Sequence, residues 1–219
     1  MIKILAFLVL ILAVYAKVTP DQNVPISKVY DGLTLGNPDA PFHIEAFYDL
    51  MCIDSKNSNL QLNQAFKKID FENQDQVKFT YHIFPLPYHY NAFYTAVGFR
   101  YILDNFSPKE AKEYINLIFN YQDSLVNSAT QDLTQDEIFK GMAKLVSSKM
   151  VNVDEEDFYN ALQNLDYKID AMNSSKFSLG VHIAGAPYFW ANGIPVIDAP
   201  NFKSADWVDF IHQYTDLKE

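Results

Sequence analysis

The chain is poor in cysteine: Cys52 is the only one in 219 residues. A single thiol excludes an intramolecular disulfide, so the fold rests on its apolar core, and it also excludes the multi-cysteine zinc patterns. Cations are scarce as well, with 17 Lys and Arg against 27 Asp and Glu and a formal charge of −10. Such a surface repels phosphate backbones and anionic membranes, which argues against nucleic acid as a partner. No apolar run is long enough to span a bilayer. The longest, Ile4 to Ala16, is 13 residues, where a membrane helix needs about 20. Internal repeats, low-complexity tracts and histidine pairs at metal-site spacing are also missing, and no metal site is expected.

What is present is a composition for a packed domain, 49% hydrophobic and 15% aromatic, far from the signature of disorder. Its length suits one core, with or without a large insertion. Lys3, the apolar run and Val14-Tyr15-Ala16 read as a secretory signal over residues 1–16 with cleavage before Lys17,. The expected location is therefore the secretory lumen or the exterior, with no membrane attachment after cleavage. The terminal Asp216-Leu217-Lys218-Glu219 is not a retention signal of the KDEL type,. Asn105-Phe106-Ser107 and Asn173-Ser174-Ser175 are glycosylation sequons suited to that route,.

Along the chain, residues 17–39 are rich in Pro, Asp, Asn and Gly and read as an extended surface lead-in,. Phe42 to Tyr48 alternates as a strand, helical spacing of Leu60, Leu62, Ala65 and Phe66 predicts a helix over 55–68, and Val77 to Phe84 is a second strand stopped by Pro85 and Pro87,. Four or five helices are expected between residues 91 and 177, with Ser107, Thr134 and Asp154 as N-terminal signals,. Residues 186–191 and 194–197 then read as two strands joined by Asn192-Gly193, and residues 203–214 as a closing amphipathic helix,. Cys52 falls between the first strand and its helix. There a thiolate gains from the helix N-terminus and loses from the nearby Asp49 and Asp54.

The order β-α-β, helices, β-β-α carries three short motifs: Phe-Tyr-Asp-Leu-Met-Cys-Ile-Asp-Ser at 47–55, Phe-Pro-Leu-Pro-Tyr-His at 84–89, and Gly-Ala-Pro-Tyr-Phe-Trp-Ala-Asn-Gly at 185–193. Together, over residues 28–214, they resemble the DsbA-like branch of the thioredoxin superfamily. The resemblance implies an α/β thioredoxin fold with a helical insertion: signal peptide 1–16, lead-in 17–27, thioredoxin parts at 28–90 and 178–219, and the insertion at 91–177. It places Cys52 at the family's attacking thiol, Ser55 where the resolving cysteine usually stands, and Pro187 at the substrate-facing cis-proline, with Ala186 beside it.

Without a second thiol, Cys52 cannot close an intramolecular disulfide, which leaves monothiol exchange or mixed-disulfide capture on cysteine-containing or unfolded polypeptides, with glutathione as a releasing thiol and no other cofactor. Ser55 is expected to donate a hydrogen bond to the Cys52 sulfur. An inert buried cysteine is the competing reading. A non-catalytic module holding peptides through Tyr88, Tyr90, Phe93, Tyr94, Phe189 and Trp190 is the alternative function. A kappa-type glutathione transferase shares the insertion architecture but resembles a serine at the Cys52 position. His89 reads as a solvated histidine rather than a general base for the thiol.

Overall fold

The computed structural model describes residues 26–217. The signal over 1–16 and the lead-in up to residue 25 lie outside the described residues. Five strands form one sheet in the order β1-β3-β2-β4-β5. They are β1 (Leu33–Gly36), β2 (Phe42–Tyr48), β3 (Val77–Ile83), β4 (Tyr188–Ala191) and β5 (Ile194–Pro195). β2 and β3 run parallel, joined by α1 (Ile53–Lys68), while β1 and β4 flank them antiparallel. β1 corrects the reading of residues 17–39 as lead-in alone: Leu33-Thr34-Leu35 pairs with Phe79 to Tyr81 of β3, too short an alternation to stand out in the sequence.

Side chains alternate across the central strands. Phe42, Ile44, Ala46 and Tyr48, with Phe79, Tyr81 and Ile83, are buried. They share one core with Leu62 and Phe66 of α1 and Trp207 and Ile211 of α8 (Ser204–His212). Each such side chain contributes about 1.5–3 kcal/mol on leaving water. The opposite face carries Glu45, Phe47, Thr80 and His82, and these too are buried. That face is covered by Phe177 and Ser174 of α7 (Leu165–Gly180) and by Tyr30 and Asp31 ahead of β1.

Between β3 and β4 lie six helices rather than the expected four or five: α2 (Ala92–Asn105), α3 (Pro108–Asn120), α4 (Asn127–Thr130), α5 (Gln135–Lys149), α6 (Glu155–Gln163) and α7. The extra one, α4, is a single turn, too short to show periodicity, and α7 runs on to Gly180. Ser107 and Thr134 form capping boxes with Glu110 and Glu137, and Asp154 accepts from the backbone N–H groups of Glu156 and Asp157. Each cap satisfies backbone donors that a helix start leaves unpaired. Asn105 ends α2, with its amide donating to Tyr101 O and to the Tyr167 hydroxyl. Asn192 and Gly193 both have positive φ, 48° and 77°, the backbone of a tight hairpin turn between β4 and β5,. Among the described residues no helix is long and apolar enough to cross a membrane.

Candidate functional site

β2 and β4 are antiparallel neighbours with Phe47 opposite Tyr188. The chain that continues beyond Phe47 therefore meets the chain that precedes Tyr188, and sheet register brings Cys52 to Ala186 and Pro187 from 134 positions away. The Cys52 thiol donates to the Ala186 carbonyl at 3.5 Å. The peptide bond that this carbonyl belongs to, Ala186–Pro187, is cis. Cys52 is the N-cap of α1, in extended conformation, and its side chain makes no capping bond. Cys52 is 7% exposed, within a second apolar cluster of Phe47, Phe84, Leu86 and Ile183, against which Trp190 and Ala186 pack.

Ser55 is buried, and its hydroxyl accepts from the Asp49 backbone N–H at 3.3 Å. The expected bond from Ser55 to the Cys52 sulfur is not among the hydrogen bonds of the described residues; the serine in the first turn of α1 serves the preceding loop instead. That loop is held by two further side chains, Asp49, read from the sequence only as a nearby negative charge, and Gln122, which the sequence did not single out. The Asp49 carboxylate accepts from Met51 N at 2.8 Å and from Leu86 N at 3.1 Å, and pairs with His89 Nδ1 at 2.6 Å. Gln122, just beyond α3, donates to both Leu50 O and Cys52 O, at 2.9 and 3.1 Å.

Burial pushes the Asp49 carboxyl above its ordinary value, while His89 and the two backbone N–H groups pull it partly back,. His89 is thus not simply a solvated histidine: its ring is paired with Asp49 and only 24% exposed. Its partner lies 40 residues away, beyond what local sequence can show.

Behind Phe47 sits a buried ionic cluster. The His82 ring stacks on Phe47 at 4.5 Å and on Phe177 at 5.2 Å. Its nitrogens lie 3.1 Å from Asp31 Oδ2 and 3.1 Å from Glu45 Oε2. Tyr30 donates to Glu45 at 2.6 Å, Ser174 to Asp31 at 2.8 Å, and Arg100 approaches Asp31 at 3.5 Å. Burial alone would lower His82, but the two carboxylates outweigh it and hold the imidazolium above its usual range; in return Asp31 and Glu45, which burial alone would raise, fall below theirs.

The expected aromatic groove is divided. Phe189 belongs to the main core, Trp190 packs on Phe47, and Tyr88 and Tyr90 are 62% and 64% exposed. Among the described residues no group of three His, Cys, Asp or Glu is arranged to hold a metal ion.

A family model described as thioredoxin matches residues 28–211. No curated protein matches the sequence. Among solved structures, the chain is similar to DsbA of Chlamydia trachomatis (15% identity, TM-score 0.67, covering 89% of this chain and 96% of that one). It is also similar to oxidised BdbD of Bacillus subtilis (18%, 0.66, 84% and 92%) and to alpha-DsbA1 of Wolbachia pipientis (14%, 0.65, 88% and 93%). By the extent of the family match and by its fold, the chain belongs to the thioredoxin family and shares the architecture of DsbA proteins.

Proposed function

We propose that the chain is a secretory monothiol exchange protein that acts through Cys52 on cysteine-containing polypeptides. The observation that carries this reading is the thiol at a helix N-cap, hydrogen-bonded to the carbonyl of Ala186 next to Pro187. A substrate strand laid against that loop would place a disulfide in line with the sulfur. Cys52, after losing its proton, attacks one sulfur of the substrate disulfide; a Cys52–substrate bond forms, the substrate S–S bond breaks, and the departing thiolate takes up a proton. A second thiol, from the substrate or from glutathione, then attacks the mixed disulfide and returns Cys52. The protein is neither oxidised nor reduced over the cycle, so the outcome is reshuffling or capture.

Ser55 has a positioning role in this reading: its hydroxyl holds the Asp49 end of the loop rather than the sulfur. Likeness to the DsbA structures supports the substrate class, and the apolar run over residues 4–16 supports export.

The test is acid-quenched incubation of the reduced protein with a polypeptide carrying scrambled disulfides, resolved without reductant. Mixed disulfides are expected with the wild type and none with Cys52→Ser. If no adduct forms and both proteins bind the polypeptide equally, the chemistry is absent and the module only holds peptides. The exposed Tyr88 and Tyr90 favour that second reading.

A further inference from the structure

A cleft of about 700 Å³ opens between α1 and α3, outside the Cys52 site. Lys56, Asn63 and Lys67 line it from α1, and Lys112, Asn116 and Asn120 from α3. Lys112, Asn116 and Asn120 are four residues apart, and Lys56, Asn63 and Lys67 seven and four, spacings that put each set on one face of its helix,. At one end the two walls are tied to the Cys52 loop: Lys56 N donates to Cys52 O, and Gln122, two residues beyond the end of α3, donates to Leu50 O and Cys52 O. The cleft therefore starts about one helical turn from the thiol.

Most of the polar groups along it are donors, the exceptions being the Asp70 and Glu72 carboxylates at one end and the buried Asn59 Oδ1. Asn116 Oδ1 accepts from Asn59 Nδ2 at 3.1 Å and from Asn63 Nδ2 at 3.4 Å. With its oxygen occupied by these two amides, Asn116 has its own amide N–H groups left to donate. Lys112 is half-buried, and burial draws its ammonium below the ordinary value. Its ion-pair partner, Glu72, is 3.9 Å away and 84% exposed, so it is poorly matched. Asp70, also in the lining, is taken up by Asn73 at 2.8 Å. On a chain of net charge −10, three lysines facing one cleft form a local exception.

We propose that this cleft binds an extended, acidic stretch of polypeptide: its carboxylates meet Lys56, Lys67 and Lys112, and its backbone carbonyls meet the Asn116 amide. Lys56 to Lys67 spans about 16 Å along the helix, room for about five extended residues. The position next to the Cys52 loop makes the occupant a segment flanking the reactive cysteine of a substrate, so the assignment of substrate class rests on the exchange reading above. Lys67 and Lys112 face each other near one end and Lys56 stands about 16 Å along the helix at the other, a separation that fits carboxylates spaced along a chain better than a single phosphate,.

The test is fluorescence anisotropy of the purified chain with a dye-labelled, cysteine-free peptide of alternating Glu and Thr, against its Gln analogue. Lacking a thiol, the peptide reads the cleft whether or not Cys52 reacts, so failure here is separable from failure of the exchange reading. The acidic peptide is expected to bind about tenfold tighter than the neutral one, with the preference shrinking at high salt. Lys112→Gln should remove most of the preference, and Glu72→Gln, at an exposed site that leaves folding intact, should increase it. Equal binding of the two peptides, or unchanged binding in both variants, overturns the proposal. So does complete displacement by millimolar inorganic phosphate, which would make the cleft a small-anion site.

Discussion

Asp49 Oδ2 lies 2.6 Å from His89 Nδ1, and the same carboxylate accepts from Met51 N and Leu86 N. One buried side chain thus joins the loop before Cys52 to the Pro85–Tyr90 segment. With the Asp49 carboxyl already raised by burial, the folded state holds its proton more tightly than the unfolded chain does. The stability associated with that proton is present below the ordinary carboxylate range and is lost as pH rises through the folded value.

His89→Ala removes the strongest pull against burial and raises the carboxyl further. At pH 4 the variant buries a largely neutral acid; at pH 7 it must bury an unpaired carboxylate or a proton held at a cost. The destabilisation is therefore expected to be larger at pH 7, about 1–3 kcal/mol, and smaller at pH 4. Thermal unfolding of both proteins at the two pH values checks this, and equal losses at both would show that the pairing has no electrostatic content.

The His82 cluster loses its contribution at both ends of the pH range. His82 is raised, so its contribution is full below about 6.5, the unperturbed histidine value, and is lost as pH rises through its folded value,. Asp31 and Glu45 are lowered, so theirs is present above the ordinary carboxylate range and lost as pH falls. The groups facing the ring are Asp31, Glu45 and Tyr30, with Arg100 behind Asp31 and His43 near Glu45. The cluster is expected to stabilise most between about pH 4.5 and 6.5, with a melting temperature that declines on the alkaline side. In His82→Leu two carboxylates are left buried without their shared partner, a loss of about 3–5 kcal/mol near neutral pH. A pH series of melting curves that is flat for the wild type above pH 6.5 would contradict the assignment.

How much of this could be read from the residues follows from separation in sequence. Cys52 and Pro187 could be paired in the sequence only through the resemblance that their short motifs carry; in the structure the β2–β4 pairing brings the Cys52 thiol to the Ala186 carbonyl. Phe42-His43-Ile44-Glu45 reads as a half-exposed strand by its alternation, yet the polar face is buried too, since α7 and residues 30–31 cover it and pair its groups. Nothing local in either strand announces that cover. Asp49 was visible only as a negative charge near the thiol, because its partner His89 comes from the turn between β3 and α2, 40 residues away. Ser55 has the right spacing to face Cys52, but the unpaired Asp49 N–H claims its hydroxyl.

Gln122 is the case with no sequence cue at all, 70 residues from the carbonyl it reaches. Gln122→Ala leaves Leu50 O without its side-chain donor and frees the Cys52 loop from α3. A loss of about 1–3 kcal/mol is expected for the orphaned buried acceptor. Iodoacetamide should also label Cys52 faster in the variant than in the wild type under native conditions. An unchanged labelling rate would mean that α1 alone fixes the thiol's accessibility.

Gly98 is where α2 passes closest to its neighbours. A Cβ there would overlap the Tyr114 hydroxyl and stand 2.7 Å from Phe158 Cζ. Tyr114 is fully buried and its hydroxyl donates to Thr95 O at 3.0 Å, so it cannot swing aside without leaving its own buried hydroxyl unpaired. Phe158 is buried and packs on both Tyr114 and Tyr101. The slightly better helix propensity of alanine, about 1 kcal/mol, is set against overpacking of about 1–3 kcal/mol plus any lost hydrogen bond. Gly98→Ala is therefore expected to lower the melting temperature. Because the overlap lies among α2, α3 and α6, the rate of Cys52 labelling in the folded variant should stay at the wild-type value; a variant more stable than the wild type would show that these helices can part to admit the methyl group.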